Sequence, residues 1–283
     1  MNIAIMQPYL LPHLGYFQLM HACDEFLIYD DVAYYDDVAD IPRGYINRNS
    51  VLLGGKAHRF TLSVPDASPN RRISELSFAP TPQSLLTTLH HAYAKAPHYA
   101  EVMPLLQTIL MHEDRRIGAL CQFSFETICR YLGLECRFAL TSEMDYERSQ
   151  SAQDRLIELS RQRGGRGYVN SIGGRKLYRG EAFEQAELRL SFLSSHPRDY
   201  RQAAPGAREG EFVGSLSIID VLMWCSPADV VSRLAEYTLL SGDAPWGPAA
   251  EGMDQLWQPS LAEPASRPLP SSREAAGGVA TCH

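Results

Sequence analysis

The first seventeen residues constrain this chain more than any other stretch. Ile3-Ala-Ile-Met6 is a continuous apolar run too short for a helix, the pattern of a strand covered on both faces in a parallel sheet. Pro8 and Pro12 lack a backbone N–H and disfavour helix at the residue before each, so Gln7 to Pro12 must turn and a helix can start only at about Pro12 or His13. The chain resumes as His13 to Cys23, followed by Phe26-Leu-Ile-Tyr29, a second apolar run that stops at Asp30-Asp31. In such a strand-turn-helix-strand unit, the first turn and the end of the second strand share the sheet edge where open α/β folds bind ligands. Gln7, Tyr9, His13, Asp30 and Asp31 are therefore expected to converge.

Downstream, strand and helix signals keep alternating. Gly54-Gly55 reads as a turn before a strand at His58 to Val64, which Pro65 ends. From about 82 to 133 the apolar spacing is helical, with breaks expected at Pro97 and Pro104 and a C-cap at Gly133. Cys136 to Leu140 is the next strand, ending at Thr141-Ser142. Ser151 to Arg163 reads as an amphipathic helix, Tyr168 to Asn170 as a short strand feeding Ser171-Ile-Gly-Gly174, and Leu188 to Phe192 as a further strand. Ser217 has the place of a helix N-cap, with Asp220 in the capping-box position. The expected fold is α/β, a Rossmann-like, mostly parallel sheet with a helical insertion, forming one catalytic domain over 1–243. After it, six of the eighteen prolines fall within 244–283 among Ala, Gly and Ser, the composition of a disordered tail.

A formal charge of −7 speaks against a general nucleic-acid binder or a basic membrane-surface protein. No run approaches the roughly 18 apolar residues that a membrane helix needs, and the first residues begin a strand where a basic, cleavable signal would stand, so the expected location is cytoplasmic. The six cysteines carry no Cys-x-x-Cys and suggest neither a zinc knuckle nor a disulfide framework. Five aspartates lie within the eleven residues from Asp30 to Asp40, an acidic loop. The segment Pro42-Arg43-Gly-Tyr-Ile-Asn47-Arg48-Asn49 concentrates charged, amide and aromatic groups suited to a polar ligand.

Met6-Gln-Pro-Tyr-Leu-Leu-Pro-His-Leu-Gly-Tyr-Phe17, Phe26-Leu-Ile-Tyr-Asp-Asp-Val32, Arg43-Gly-Tyr-Ile-Asn-Arg-Asn49, Tyr168-Val-Asn-Ser-Ile-Gly-Gly174 and Leu216-Ser-Ile-Ile-Asp220, in that order, resemble the WbqC-like protein family. The resemblance implies a bacterial role in decorating sugars, in O-antigen or antibiotic biosynthesis, by transfer of an acyl or aminoacyl group. Against the family pattern the chain interposes Ala33 to Pro42, enlarging the acidic loop, and has Trp224-Cys225-Ser226 where the family tends towards Asn-x-Gly.

The expected activity is amide formation between an activated acyl donor, with a carrier-protein thioester as one candidate, and a small-molecule amine or amino sugar. His13 is the expected base, with Asp31 orienting it. Asn47, Asn49 and Asn170 are candidate oxyanion or hydroxyl donors, and Arg43 a carboxylate or phosphate grip. Gln7, Tyr9, Tyr16, Asp30, Ser142, Ser217 and Asp220 complete the expected substrate contacts. A covalent route would use Cys23 or Cys225. No cofactor, metal, nucleic acid or membrane is expected. One alternative is nucleotidyl transfer, with the His13-x-Gly15 turn holding phosphates and Asp30, Asp31 or Asp37 holding Mg²⁺. The other is a non-catalytic protein that binds a sugar or a carrier.

Overall fold

A computed structural model of the chain describes residues 1–34, 45–68, 70–203 and 210–242. Arg43, most of the acidic loop and the segment 244–283 lie outside the described residues.

The apolar run at the start is β1 (Asn2–Met6), and α1 (Leu14–Ala22) follows the Pro-rich turn. β2 (Glu25–Ile28) completes the first unit, paired with β1 in parallel from Ile3↔Glu25 to Met6↔Ile28. A separate antiparallel hairpin follows, β3 (Arg48–Leu53) and β4 (Lys56–Thr61), turning at Gly54 and Gly55 with φ of +60° and +75°. Two consecutive residues at positive φ make the tight turn that glycine adopts at little cost. The helical stretch comprises α2 (Gln83–Tyr93), α3 (Tyr99–Leu110) and α4 (Ile117–Tyr131). Pro104, expected to break it, lies inside α3. One backbone bond is forgone there, while Val102, Met103, Leu106, Ile109 and Leu110 keep the helix seated in the core.

The remaining elements complete the sheet. They are β5 (Phe138–Leu140), α5 (Ala152–Gln162), β6 (Gly167–Ser171), α6 (Gly180–Gln185), β7 (Arg189–Ser195), α7 (Ile218–Trp224), α8 (Pro227–Leu234) and β8 (Tyr237–Ser241). The six strands run in the order β5-β2-β1-β6-β7-β8, parallel except for β8. Counting sheet strands along the chain, this is the order 3-2-1-4-5-6 of doubly wound nucleotide-binding folds, with an antiparallel edge.

Alternation along the strands divides the core. Ala4, Met6, Phe26, Ile28, Val169 and Leu193 face the larger cluster with α1 to α4, α7 and α8. Ile3, Ile5, Leu27, Tyr168, Leu190 and Phe192 face Leu156 and Leu159 of α5 and Phe183 of α6. No described helix is long and apolar enough to cross a membrane.

Candidate functional site

The strand order reverses at β1, which has β2 on one side and β6 on the other. Open α/β sheets bind ligands beyond the carboxyl ends of the strands at such a switch point. Pairing between β1 and β6 covers only Asn2↔Gly167 and Ile3↔Tyr168, whereas β1 stays paired with β2 to Met6 and β6 with β7 to Ser171. The two central strands thus reach the sheet edge without recorded pairing to each other. Gln7 leaves β1 there, half-buried, and its side-chain amide makes no hydrogen bond to a described residue; its carbonyl accepts from the Tyr16 hydroxyl. Ser171 ends β6 with a buried Oγ that has no partner among the described residues.

The turn from Gln7 to His13 is rigidly held. Leu11 adopts φ of +50°, a left-handed conformation unusual for a branched apolar residue. Its carbonyl accepts from Asn49 Nδ2 (2.7 Å) and from Ser217 Oγ (2.7 Å), and Ile218 N–H donates to the Pro12 carbonyl (2.7 Å). Asn49 and Ser217, expected to touch substrate, instead fasten this turn. Tyr9 is buried with its ring against His13, Tyr16 and Tyr45.

His13 is the N-cap of α1, and its Nδ1 accepts the Gly15 N–H (3.1 Å). An acceptor at Nδ1 places the ring proton on Nε2. Burial lowers the imidazole pKa to about 4, so the ring is neutral at pH 7. The ring is thus neutral with its proton on Nε2, which makes it a weak base where a base is expected from the sequence. It also occupies the Gly15 N–H, the donor that a phosphate on a His-x-Gly turn would use.

The twin aspartates do not meet His13. Asp31 accepts from Thr141 Oγ1 (2.6 Å), Tyr146 OH (2.7 Å) and Arg148 Nε (2.8 Å), and this set of donors leaves the expected His13–Asp31 hydrogen bond unformed. Asp30 accepts from Ser142 N–H (2.9 Å) and Ser142 Oγ (2.8 Å). Burial pushes its pKa up, against the lowering effect of the Ser142 hydrogen bonds. Its carboxylate lies against the first turn of α4, where the lack of a side chain on Gly118 admits it; a Cβ there would stand 2.7 Å from Asp30 Oδ2. Both carboxylates, and Ser142 with them, brace β2 against β5 and α4. Among the described residues no group of three or more His, Cys, Asp or Glu side chains could hold a metal ion.

The other expected contacts are also framework. Asn47 Nδ2 donates to the Leu62 carbonyl (2.9 Å). Asn170 accepts from Ser171 N–H (2.7 Å) and donates to Tyr168 OH (3.1 Å), and Gly174 packs where a Cβ would lie 2.8 Å from Asn170 Nδ2. Asp220 is fully buried and accepts from Tyr93 OH (2.7 Å), Tyr200 OH (2.6 Å) and Gln202 Nε2 (2.8 Å), a hub joining α2 to α7. Its carboxylate is taken up there and Ser217 N–H donates to the Ser50 carbonyl (2.9 Å), so it is no capping-box partner of Ser217; burial raises its pKa. Neither candidate nucleophile reaches the switch point. Cys23 caps the far end of α1, and Cys225 caps the C-terminus of α7; burial raises both thiols. Sequence reasoning missed Ser171, Tyr146 and Arg148. The residue pattern carries a signal only for Ser171, which follows Asn170 at the end of a strand.

A family model described as the WbqC-like protein family matches residues 7–232. Uncharacterized protein Rv1507c of Mycobacterium tuberculosis is 28% identical over 226 residues, covering 78% of this chain and 92% of that protein. No solved structure matches.

Proposed function

The chain belongs to the WbqC-like protein family, and from that membership and the switch-point geometry we propose that it forms an amide bond between an activated acyl donor and an amino sugar. The observation that carries the reading is a neutral imidazole, His13, fixed by Gly15 with its proton on Nε2, on the same turn as Gln7, whose amide bonds no described residue. These groups suit an uncharged carbonyl and sugar hydroxyls better than a phosphate. The carboxylates of Asp30 and Asp31 already accept from protein donors, and Arg148 pairs with Asp31, so both serve the framework and are not needed as a base.

With a thioester donor, the amine nitrogen attacks the carbonyl carbon and the carbonyl electron pair moves to oxygen. His13 Nε2–H donates to that oxyanion, and Gln7 orients the donor or the sugar. Collapse re-forms the carbonyl and expels the thiolate, which takes the proton lost by the amine. No base on the protein and no acyl-enzyme is required, which accords with Cys23 and Cys225 lying elsewhere.

The test is product and intact-mass analysis of the full chain with acyl thioesters and amino sugars, with and without ATP. Amide product without a protein adduct is the expected result. His13→Ala lowers turnover on the order of 100-fold while leaving the fold intact, the usual scale for losing an oxyanion donor. Near-normal turnover in that variant, or strict dependence on ATP, rejects the reading. Saturable sugar binding without any turnover would instead identify a binding protein.

A further inference from the structure

The sheet edge opposite the candidate site contains a cavity of about 640 Å³ whose wall includes Cys23, Cys129 and Cys136 together with Glu126, Arg130 and Arg137. Cys23 caps α1 just before β2, Cys129 lies in the last turn of α4, and Cys136 precedes β5, so the topology gathers the three at the amino ends of parallel strands.

The approach of Cys129 and Cys136 follows from how α4 ends. Gly133 takes φ of +70°, its N–H donates to the Arg130 carbonyl (3.1 Å), and Leu134 N–H donates to the Cys129 carbonyl (2.9 Å). These two bonds are a Schellman motif with Cys129 at its first acceptor, and they turn the chain back along the helix it has just left. Cys136 is carried beside Cys129 in consequence. The two sulfurs line the same cavity wall and interact electrostatically, which raises the Cys129 thiol and lowers that of Cys136. Accessibility divides them in the same sense: Cys129 is 2% exposed, whereas Cys136 is half-buried at the cavity wall. Both are free thiols.

We propose that Cys129 and Cys136 form a redox pair that closes to an intramolecular disulfide when a peroxide enters this cavity. The Cys136 thiolate attacks one peroxide oxygen, the O–O bond breaks, and the departing hydroxide takes a proton to leave as water, giving a sulfenic acid. The Cys129 sulfur then attacks Cys136, the S–S bond forms, and the S–OH oxygen leaves as a second water with the Cys129 proton. Two thiols are oxidised and one peroxide is reduced to two waters. Cys23 takes no part in the bond: burial raises its thiol, and its S–H is directed to the Met20 carbonyl (3.4 Å). A thiol reductant reverses the change.

The experiment treats the full chain, carrying Cys282→Ser to remove the thiol outside the described residues, with hydrogen peroxide, followed by alkylation and non-reducing peptide mass spectrometry. The expected product is a Cys129–Cys136 cross-linked peptide, with loss of two hydrogens from the intact mass. The cross-link disappears in Cys136→Ser, persists in Cys23→Ser, and is lost on adding dithiothreitol. Two reduced thiols after treatment, Cys136 driven to sulfinic acid without a cross-link, or a cross-link to Cys23 in place of this one, each overturn the proposal.

Discussion

His13 does two jobs with one nitrogen: Nδ1 caps α1, and by doing so fixes where the proton sits. The cost appears in acid. The unfolded imidazole titrates near 6.5, whereas the folded one is held at about 4, so between those values the unfolded chain binds more protons and stability falls as pH drops. His13→Asn keeps a capping acceptor and removes the titration. Urea unfolding at pH 7 and pH 4 should show wild type losing on the order of 2 kcal/mol relative to that variant, the full shift being discounted for partial exposure. Asp30 and Asp220 have raised pKa values and act in the opposite direction, losing stability as pH rises through their folded titration. The difference between wild type and variant isolates His13, and an unchanged difference across pH would refute its lowered pKa. Asn49 is a second residue-scale test. Its amide restrains the left-handed Leu11, so Asn49→Ala should cost roughly 1–3 kcal/mol by thermal or urea unfolding, leaving a buried carbonyl with one donor fewer. The place of His13 was legible because prolines dictate where the helix starts. Its separation from Asp31 was not, because the donors Tyr146 and Arg148 that hold Asp31 arrive 115 and 117 residues later in the chain.

At the scale of elements, the junction of β2, β5 and α4 concentrates the least tolerant packing near the site. Gly118 lets the first turn of α4 settle on Asp30, where the helix N-terminus favours a carboxylate. In Gly118→Ala the new Cβ would meet Asp30 Oδ2 at 2.7 Å and Leu140 Cδ2 at 2.9 Å, neither of which can withdraw without loosening β2 from β5. The expected penalty is about 1–3 kcal/mol despite the better helix propensity of alanine, read from the denaturant midpoint. A stabilised variant would show that this junction is slack. The strand-helix alternation was legible from apolar runs and caps, as at Ser217, which accepts a backbone N–H at a helix start. β3 escaped notice because it opens on Arg48-Asn49-Ser50, a polar start whose pairing with β4 is visible only in three dimensions. β8 escaped because its residues are partly to fully exposed on an antiparallel edge, so no buried run or clean alternation marks it.

For the whole molecule, what matters is where the cooperative unit closes. β8 pairs with β7 through Ser191↔Ser241, Gly242 N–H donates to the Leu190 carbonyl (3.0 Å), and a Cβ on Gly242 would stand 3.1 Å from the Leu190 side chain. Beside it, Gln18 of α1 donates to the carbonyls of Arg233 (2.8 Å) and Glu236 (3.0 Å), joining the first helix to the end of α8 across more than two hundred residues of sequence. These contacts make α8 and β8 part of the same core that the first strand begins, even though the family match ends at residue 232. A chain cut after residue 243 retains every one of them and should melt at the same temperature as the full chain, with the same urea slope. A cut after residue 232 removes β8 and the partners of Gln18, exposing the β7 edge and leaving a buried amide unpaired, so it should lower the midpoint strongly or yield insoluble protein. Equal loss from both cuts would place essential contacts beyond residue 243; equal tolerance of both would show that β8 and the Gln18 bonds contribute little to holding the sheet together.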